Sequence, residues 1–314
     1  HDRVNVEIAR GCIRGCRFCQ AGIIYRPYRE RSSRRIEAIL SESLRCTGYE
    51  ELSLASLSAG DFSDIQPLVQ DLTEAYRDSR ISISLPSLRV GTLTPEMIRA
   101  IAHVRKTGFT LAPEAGTERL RRVINKPVSN MDLMDAAGTI FSSGWSVIKL
   151  YFMIGLPTET DEDLDGIIAL ARDLLARGRR VSKRAVQLNV SVSTFVPKPH
   201  TPFQWLGQAT LEEVRAKQAY LEQGLKRRGI NLKFHNPEMS LLEAAFARGD
   251  GALGRVIEEA VALGCRFDGW TEGFDFAKWL EAFRRHGLEP AAYAYRKYGL
   301  DEALPWEHVK TGVT

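Results

Sequence analysis

Strand-like runs alternate with helix-like runs along the first two thirds of this chain, and no other feature limits its fold as strongly. Val4 to Ala9 is the first apolar strand, and Ser33 to Cys46 follows with helical spacing of Ile36, Ile39, Leu40 and Leu44. Leu52 to Leu57 and Ile65 to Tyr76 make a second strand and helix. Ile81 to Leu85 is a third strand, and Thr94-Pro95-Glu96 opens its helix with a capping residue and an early proline. Phe109 to Ala112 is a fourth strand, followed by a helix over Met131 to Phe141 with Asn130 as its expected cap. Val147 to Ile154 with Glu162 to Leu175, and Val186 to Phe195 with Leu211 to Leu225, complete six β-α units. Such alternation predicts a parallel sheet covered by helices. With no glycine-rich nucleotide fingerprint after the first strand, an open or partial barrel is expected over a doubly wound sheet. In either fold, chemistry belongs at the carboxyl ends of the strands.

The pattern changes near residue 230. Ile230 to Phe234 reads as one extra strand, and short glycine-punctuated segments follow. Their aromatics, among them Phe267, Trp270, Trp279, Phe283, Tyr298 and Trp306, predict a mainly helical region with its own core. The expected division is residues 1–230 and residues 231–314.

Of 314 residues, 44% are hydrophobic and 26% charged, which excludes a disordered chain, a collagen and a coiled coil. No apolar run approaches the ~20 residues that span a bilayer, so no membrane segment is expected. A net charge of +4 does not by itself imply a nucleic-acid partner. The chain starts at His1 rather than Met, which predicts a fragment or processed product.

Three of the five cysteines crowd into Arg10 to Gln20, RGCIRGCRFCQ, with the spacing C-x3-C-x2-C. Clustered thiolates are the usual ligands of iron–sulfur clusters. Three ligands, Cys12, Cys16 and Cys19, leave one iron of a [4Fe–4S] cubane open to another molecule. Gly11 and Gly15 let the loop wrap closely, and Arg14 and Arg17 put positive charge beside an anionic group. A zinc knuckle is the alternative, but it needs a fourth Cys or His at short spacing, and none occurs before His103. Thiolate ligation predicts a reducing, cytoplasmic compartment.

This motif, with the aromatic Phe18 just before its third cysteine, resembles the signature of the radical S-adenosylmethionine (SAM) superfamily. The chain looks most like uncharacterised cobalamin-binding members of that group, in AGIIYRPYRERS after the cluster, SLPSLRV at strand three and FVPKPHTPFQW after strand six. The resemblance covers about residues 1–230. It implies a partial (β/α)6 TIM-like barrel, a [4Fe–4S] cluster, SAM as cofactor and an external electron donor such as flavodoxin or ferredoxin. It also implies cobalamin through a domain outside this chain, since no D-x-H-x-x-G motif occurs here.

The resemblance further assigns SAM contacts. Ser58, Gly60 and Asp61 end strand two where the family reads GGE and meets the SAM amino group; Asp61 could equally cap the next helix. Glu114 ends strand four at the ribose position. Lys126 follows twelve residues later at the carboxylate position, where the family more often has Arg. The alternative for that stretch is a solvated face of Glu118, Arg119, Arg121 and Arg122. Gly155, in MIGLPT, matches the strand-five motif near adenine.

No catalytic residue follows from the sequence. His200 and Trp205 sit in a proline-fixed loop as a candidate wall. The arginines at 26, 29, 31, 34, 35 and 45 could meet an anionic substrate such as RNA or form a solvated face. Radical methylthiotransferases, one resembling group, hold a second cluster on three more cysteines; only Cys46 and Cys265 remain here, far apart. The expected function is a radical SAM enzyme of unknown substrate, and the alternative is a non-catalytic iron–sulfur or RNA-interaction module.

Overall fold

The computed structural model describes residues 3–79, 81–85, 90 and 109–312. The helix expected from Thr94 lies outside the described residues, as do His103 and residues 86–89 of the SLPSLRV motif. Strand β1 (Val4–Glu7) leads into a small antiparallel ribbon of β2 (Ala9–Arg10) and β3 (Arg29–Glu30). The short helix α1 (Ala21–Ile24) precedes β3, and α2 (Ser33–Thr47) follows it. Strand β4 (Glu51–Ala55) pairs in parallel with β1 and with β5 (Ser82–Ser84), and α3 (Ile65–Ala75) lies between β4 and β5.

Strands β6 (Phe109–Glu114), β7 (Val147–Ile154), β8 (Gln187–Thr194) and β9 (Ile230–Phe234) form a second parallel sheet in that order. Helices α4 (Glu118–Val123) and α5 (Asn130–Ser142) follow β6, α6 (Asp161–Val181) follows β7, and α7 (Leu211–Leu225) follows β8. The two sheets are the arcs of a partial TIM-like (β/α)6 barrel, with β9 added at one edge.

Alternation along the strands creates the two faces of the larger sheet. Ile148, Leu150, Phe152 and Ile154 of β7, with Leu188, Val190 and Val192 of β8, pack under α5, α6 and α7 against Leu133, Ile140, Leu164, Leu174 and Leu221. Burying each such side chain contributes about 1.5–3 kcal/mol, and a one-residue slip would turn the whole set to the other face. The residues between them remain on the face away from the helices.

Two expected caps change. Ser129, not Asn130, caps α5: its hydroxyl accepts from the Asp132 N–H at 3.0 Å while Asp132 accepts from the Ser129 N–H. Asn130 is the first helical residue, and its side chain accepts from Arg121 at 2.8 Å instead. Asp61 does not cap α3, whose N-cap is Asp64; it sits in a short 3-10 turn over Ala59–Asp61.

Beyond β9 come α8 (Pro237–Arg248), α9 (Leu253–Ala262), α10 (Phe276–Arg285) and α11 (Pro290–Ala294). Leu242, Val256, Trp279 and Phe283 belong to a core of their own. This region is tied to the barrel by Gln208, whose side chain donates to the Phe195 and Ser240 carbonyls and whose N–H donates to Ala294. No helix among the described residues is long and apolar enough to cross a membrane.

Candidate active site

The cysteine loop leaves β2 at the carboxyl end of β1. Gly11 has φ of +86°, and a Cβ there would lie 2.7 Å from the Tyr25 carbonyl, so only glycine lets the loop close on itself. The loop is strapped to the end of α4. The Asn125 amide donates to the Gly15 carbonyl at 2.8 Å, the Arg17 N–H to Ile124 at 3.0 Å, and the Arg17 guanidinium to Val123 at 2.6 Å. Phe18 packs against the apolar cluster of Ala115, Leu120, Ile124, Leu156, Phe195 and Phe203.

Cys12, Cys16 and Cys19 are free thiols, and all three line one cavity of about 270 Å³. Its other walls include Arg14, Phe18, Leu57, Ser58, Thr110, Ala112, Glu114, Lys126 and Val128. Backbone N–H groups of Arg14 and Gly22 donate to the sulfurs of Cys12 and Cys19 at 3.5 and 3.4 Å. Asp61 holds the Arg14 pKa above its ordinary value, with a further contribution from Cys12 and Cys16. Free thiols on one wall, N–H donors on two sulfurs and a guanidinium beside them fit a cluster held by three thiolates. No group of three His, Cys, Asp or Glu among the described residues is arranged to hold a metal ion. A cubane differs in taking one thiolate per corner rather than converging them on one point.

Seven of the expected residues thus share this wall: the three cysteines, Phe18, Ser58, Glu114 and Lys126. Asp61 stands just behind it. Its carboxylate accepts from Ser58 Oγ at 2.7 Å and from Arg14 Nε at 2.7 Å, and the second Arg14 nitrogen reaches its other oxygen. The side chain is only 4% exposed. Gly60 and Gly155 are not among the described lining residues. Gly155 follows the last residue of β7 with φ of +78°; its N–H donates to Glu159 at 2.9 Å, and a Cβ would sit 3.1 Å from Ala209.

Glu114 ends β6 at φ of +68°, just after an irregularity in the pairing with β7. Lys126 Nζ donates to Glu114 Oε1 at 2.7 Å. The turn between them is organised by Arg121, which is fully buried. Its guanidinium donates to the carbonyls of Ala115, Val128 and Gly116 at 2.9, 2.7 and 2.9 Å, besides Asn130. Burial lowers its pKa to about 10. The charged stretch is therefore not one solvated face: Arg122 is exposed, while Arg121 is core.

The sequence reading missed the polar face of the larger sheet. Thr110, Lys149, Asn189 and Asn231 are register partners across all four strands, and Tyr151, Ser191 and Lys233 form the next row. Asn231 and Gln187 both donate to Asn189 Oδ1, at 3.2 and 2.9 Å. Thr110 also lines the cavity. The signal lay in alternation: QLNVSVST over β8 carries Gln187, Asn189, Ser191 and Ser193 at every second position, and β7 carries Lys149 and Tyr151 between buried Ile148, Leu150 and Phe152. His200 lies in its loop at φ of +62°, half-buried, its N–H donating to Gln204 at 2.9 Å. Cys46 is exposed near the end of α2, away from the cysteine loop, and Cys265 is buried in the helical region.

Fold and site together define a parallel α/β barrel with three free thiols at the mouth of its cavity. The chain belongs to the Radical SAM superfamily, whose family model matches residues 6–171. An uncharacterised protein of Methanocaldococcus jannaschii is 34% identical over 81% of this chain and 53% of its own length. A threonylcarbamoyladenosine tRNA methylthiotransferase of Treponema pallidum is 26% identical over 58% of this chain and 38% of its own. The chain spans about half the length, or less, of the curated relatives it matches. Among solved structures, the radical SAM methyltransferase TsrM of Kitasatospora setae, with cobalamin and a [4Fe-4S] cluster bound, shares the fold. The TM-score is 0.55 at 13% identity, over 90% of this chain and 60% of that one.

Proposed function

We propose that this chain is the SAM-cleaving core of a radical SAM enzyme. The observation that carries the reading is the convergence of Cys12, Cys16, Cys19, Phe18, Glu114 and Lys126 on one cavity at the carboxyl ends of the strands. A [4Fe–4S] cluster held by the three cysteines would supply, when bound, the electron that cleaves SAM and starts radical chemistry on a substrate. Lys126 would pair with the SAM carboxylate and Glu114 would accept from its ribose. Ser58 and Asp61 would hold the strand-two end of the site, with Gly60 and Gly155 allowing close backbone approach. Arg14, paired with Asp61, fixes the cysteine loop to that end. Phe18 and its apolar neighbours keep water from one side.

The polar sheet face, which meets the cavity at Thr110, offers hydrogen-bond donors and acceptors to a polar substrate. A flavodoxin or ferredoxin is the class of donor proposed. We also take residues 1–230 as the catalytic core and residues 231–314 as a helical accessory region, a division supported by the latter's separate core. Cobalamin, if used, would come from outside these residues. The test is anaerobic: reconstitute the cluster, add dithionite and SAM, and assay 5′-deoxyadenosine. Formation of the product by wild type and not by a Cys16→Ala protein supports the reading. A brown protein that neither binds nor cleaves SAM would replace it with the non-catalytic module.

A further inference from the structure

The surface beside the cysteine loop breaks two electrostatic rules at once. Arg10 and Arg29 are direct cross-strand partners in the β2–β3 ribbon, an arrangement that repels like charges. Immediately after the ribbon, α2 begins with no acidic residue in its first turn but with Arg34 and Arg35, where the helix dipole disfavours cations. Arg31 lies between the two. Glu7 faces three of these guanidiniums: hydrogen bonds from Arg10 dominate in holding its carboxyl below the ordinary range, with Arg31 and Arg29 adding to it. The other carboxylate nearby, Glu30, accepts from Tyr28 Oη and from the Ser63 N–H. Arg29, Arg34 and Arg35 are exposed; Arg29 adds to the field on Glu7 without a hydrogen bond to it, and Arg34 and Arg35 have no carboxylate partner among the described residues. A surface cleft of about 260 Å³ is lined by Glu7, Ala9, Arg10, Arg29, Glu30 and Arg31.

Local conflicts of this kind are retained where a ligand relieves them. Glu7 is engaged by Arg10 and Glu30 by Tyr28 and Ser63, so these two carboxylates do not match the five cations, and every cation is arginine, whose planar fork grips phosphate through two bonds. Tyr25, 48% exposed, stands close to Arg10 and offers a ring on which a base can stack. Topology puts the patch at the same end of the barrel as the cavity: Arg10 is two residues before Cys12, and α2 starts from the carboxyl side of β1.

We propose that Arg10, Arg29, Arg31, Arg34 and Arg35 dock the phosphate backbone of a single-stranded nucleic-acid segment beside the cavity mouth. The proposal rests on the reading of the cavity as a reaction site only for where the strand is led; the binding stands apart from it. The probe is a fluorescein-labelled oligouridylate of about 20 nucleotides, titrated with reconstituted protein over a salt series. At about 0.7 per phosphate contact, five contacts give a slope of log K against log salt of about −3.5. The triple variant Arg29→Gln, Arg34→Gln, Arg35→Gln is expected to lose about 2 of that slope and at least about tenfold in affinity at low salt.

Its control is Lys226→Gln, Arg227→Gln, Arg228→Gln, which removes three exposed charges from the end of α7, at the other end of the barrel. The control is expected to bind as wild type does. Equal loss in both triples, or no salt-dependent binding by wild type, overturns the proposal. So does unchanged oligonucleotide binding with slower cluster reduction by flavodoxin, which would assign the patch to an acidic protein. SAM affinity and iron content, read on the same samples, report separately on the cavity.

Discussion

Lys126 Nζ lies 2.7 Å from Glu114 Oε1, and the two side chains are only 14% and 17% exposed. The pair closes the cavity wall beneath the cysteine loop, and each group is the other's counter-ion there. An incoming carboxylate must share Lys126 with Glu114. Lys126→Ala is expected to weaken SAM binding by about 1–3 kcal/mol, the scale of a charge-assisted bond left unmade. Glu114→Gln keeps an acceptor and should cost less. Calorimetry on anaerobic samples of equal iron content measures both; equal affinity for Lys126→Ala and wild type would remove Lys126 from the site.

Loss of any one of Cys12, Cys16 and Cys19 to Ala is expected to abolish the brown chromophore and SAM cleavage together. Cys46→Ala and Cys265→Ala should keep both, because these thiols lie apart from the loop. Reconstituted wild type should hold about four iron and four sulfide per chain, as one cubane requires. Normal iron in Cys16→Ala would refute the ligand set. A value near eight, with a second species surviving loss of Cys12, would refute the single cluster.

The Arg14–Asp61 pair joins the cysteine loop to the end of β4. Arg14→Ala would leave a buried carboxylate with Ser58 but without its cation, and should destabilise the fold by about 1–3 kcal/mol. Asp61→Asn added to that variant should recover part of the loss. Urea denaturation of the four proteins closes the cycle, and additive effects would show that the pair does not interact.

Acid sensitivity should trace in part to Asp163. Burial pushes its carboxyl up, but bonds from Thr117, the Thr160 N–H and Arg119 outweigh burial and hold the pKa below the ordinary 3.8. A depressed carboxyl contributes stability that is fully present above its unfolded value. That stability is lost as pH falls through the lower folded value. Asp163→Asn is therefore expected to be less stable than wild type at pH 7, with the difference shrinking below about pH 4. A pH-independent difference in denaturant midpoints would contradict this.

Periodicity made the barrel legible. The strand Val147–Ile154, the helix Leu211–Leu225 and the extra strand Ile230–Phe234 stand where alternation and helical spacing put them, because each buries one face. The cysteine loop was legible as covalent spacing. Arg121 was not, since its burial depends on carbonyls of Ala115, Gly116 and Val128 that only the folded turn brings to one point. Arg14 with Asp61 was hidden for a similar reason: the partners are on different elements and meet only after β1 and β4 pair. The shift from Asn130 to Ser129 reflects two adjacent residues of nearly equal capping preference, decided by which side-chain oxygen reaches the N–H of Asp132.

Gln204 gives the chain's last segment a mechanical hold on its first loop. Its side-chain oxygen accepts from the Trp306 indole at 2.8 Å and from the His200 N–H at 2.9 Å, and the Gln20 amide, next to Cys19, donates to the Pro199 carbonyl at 3.2 Å. Force or slack at Trp306 reaches the third cysteine through three hydrogen bonds and a proline-stiffened corner. Trimming the C-terminal tail should loosen amide protons of the cysteine loop to hydrogen exchange, although the two are nearly three hundred positions apart in the chain.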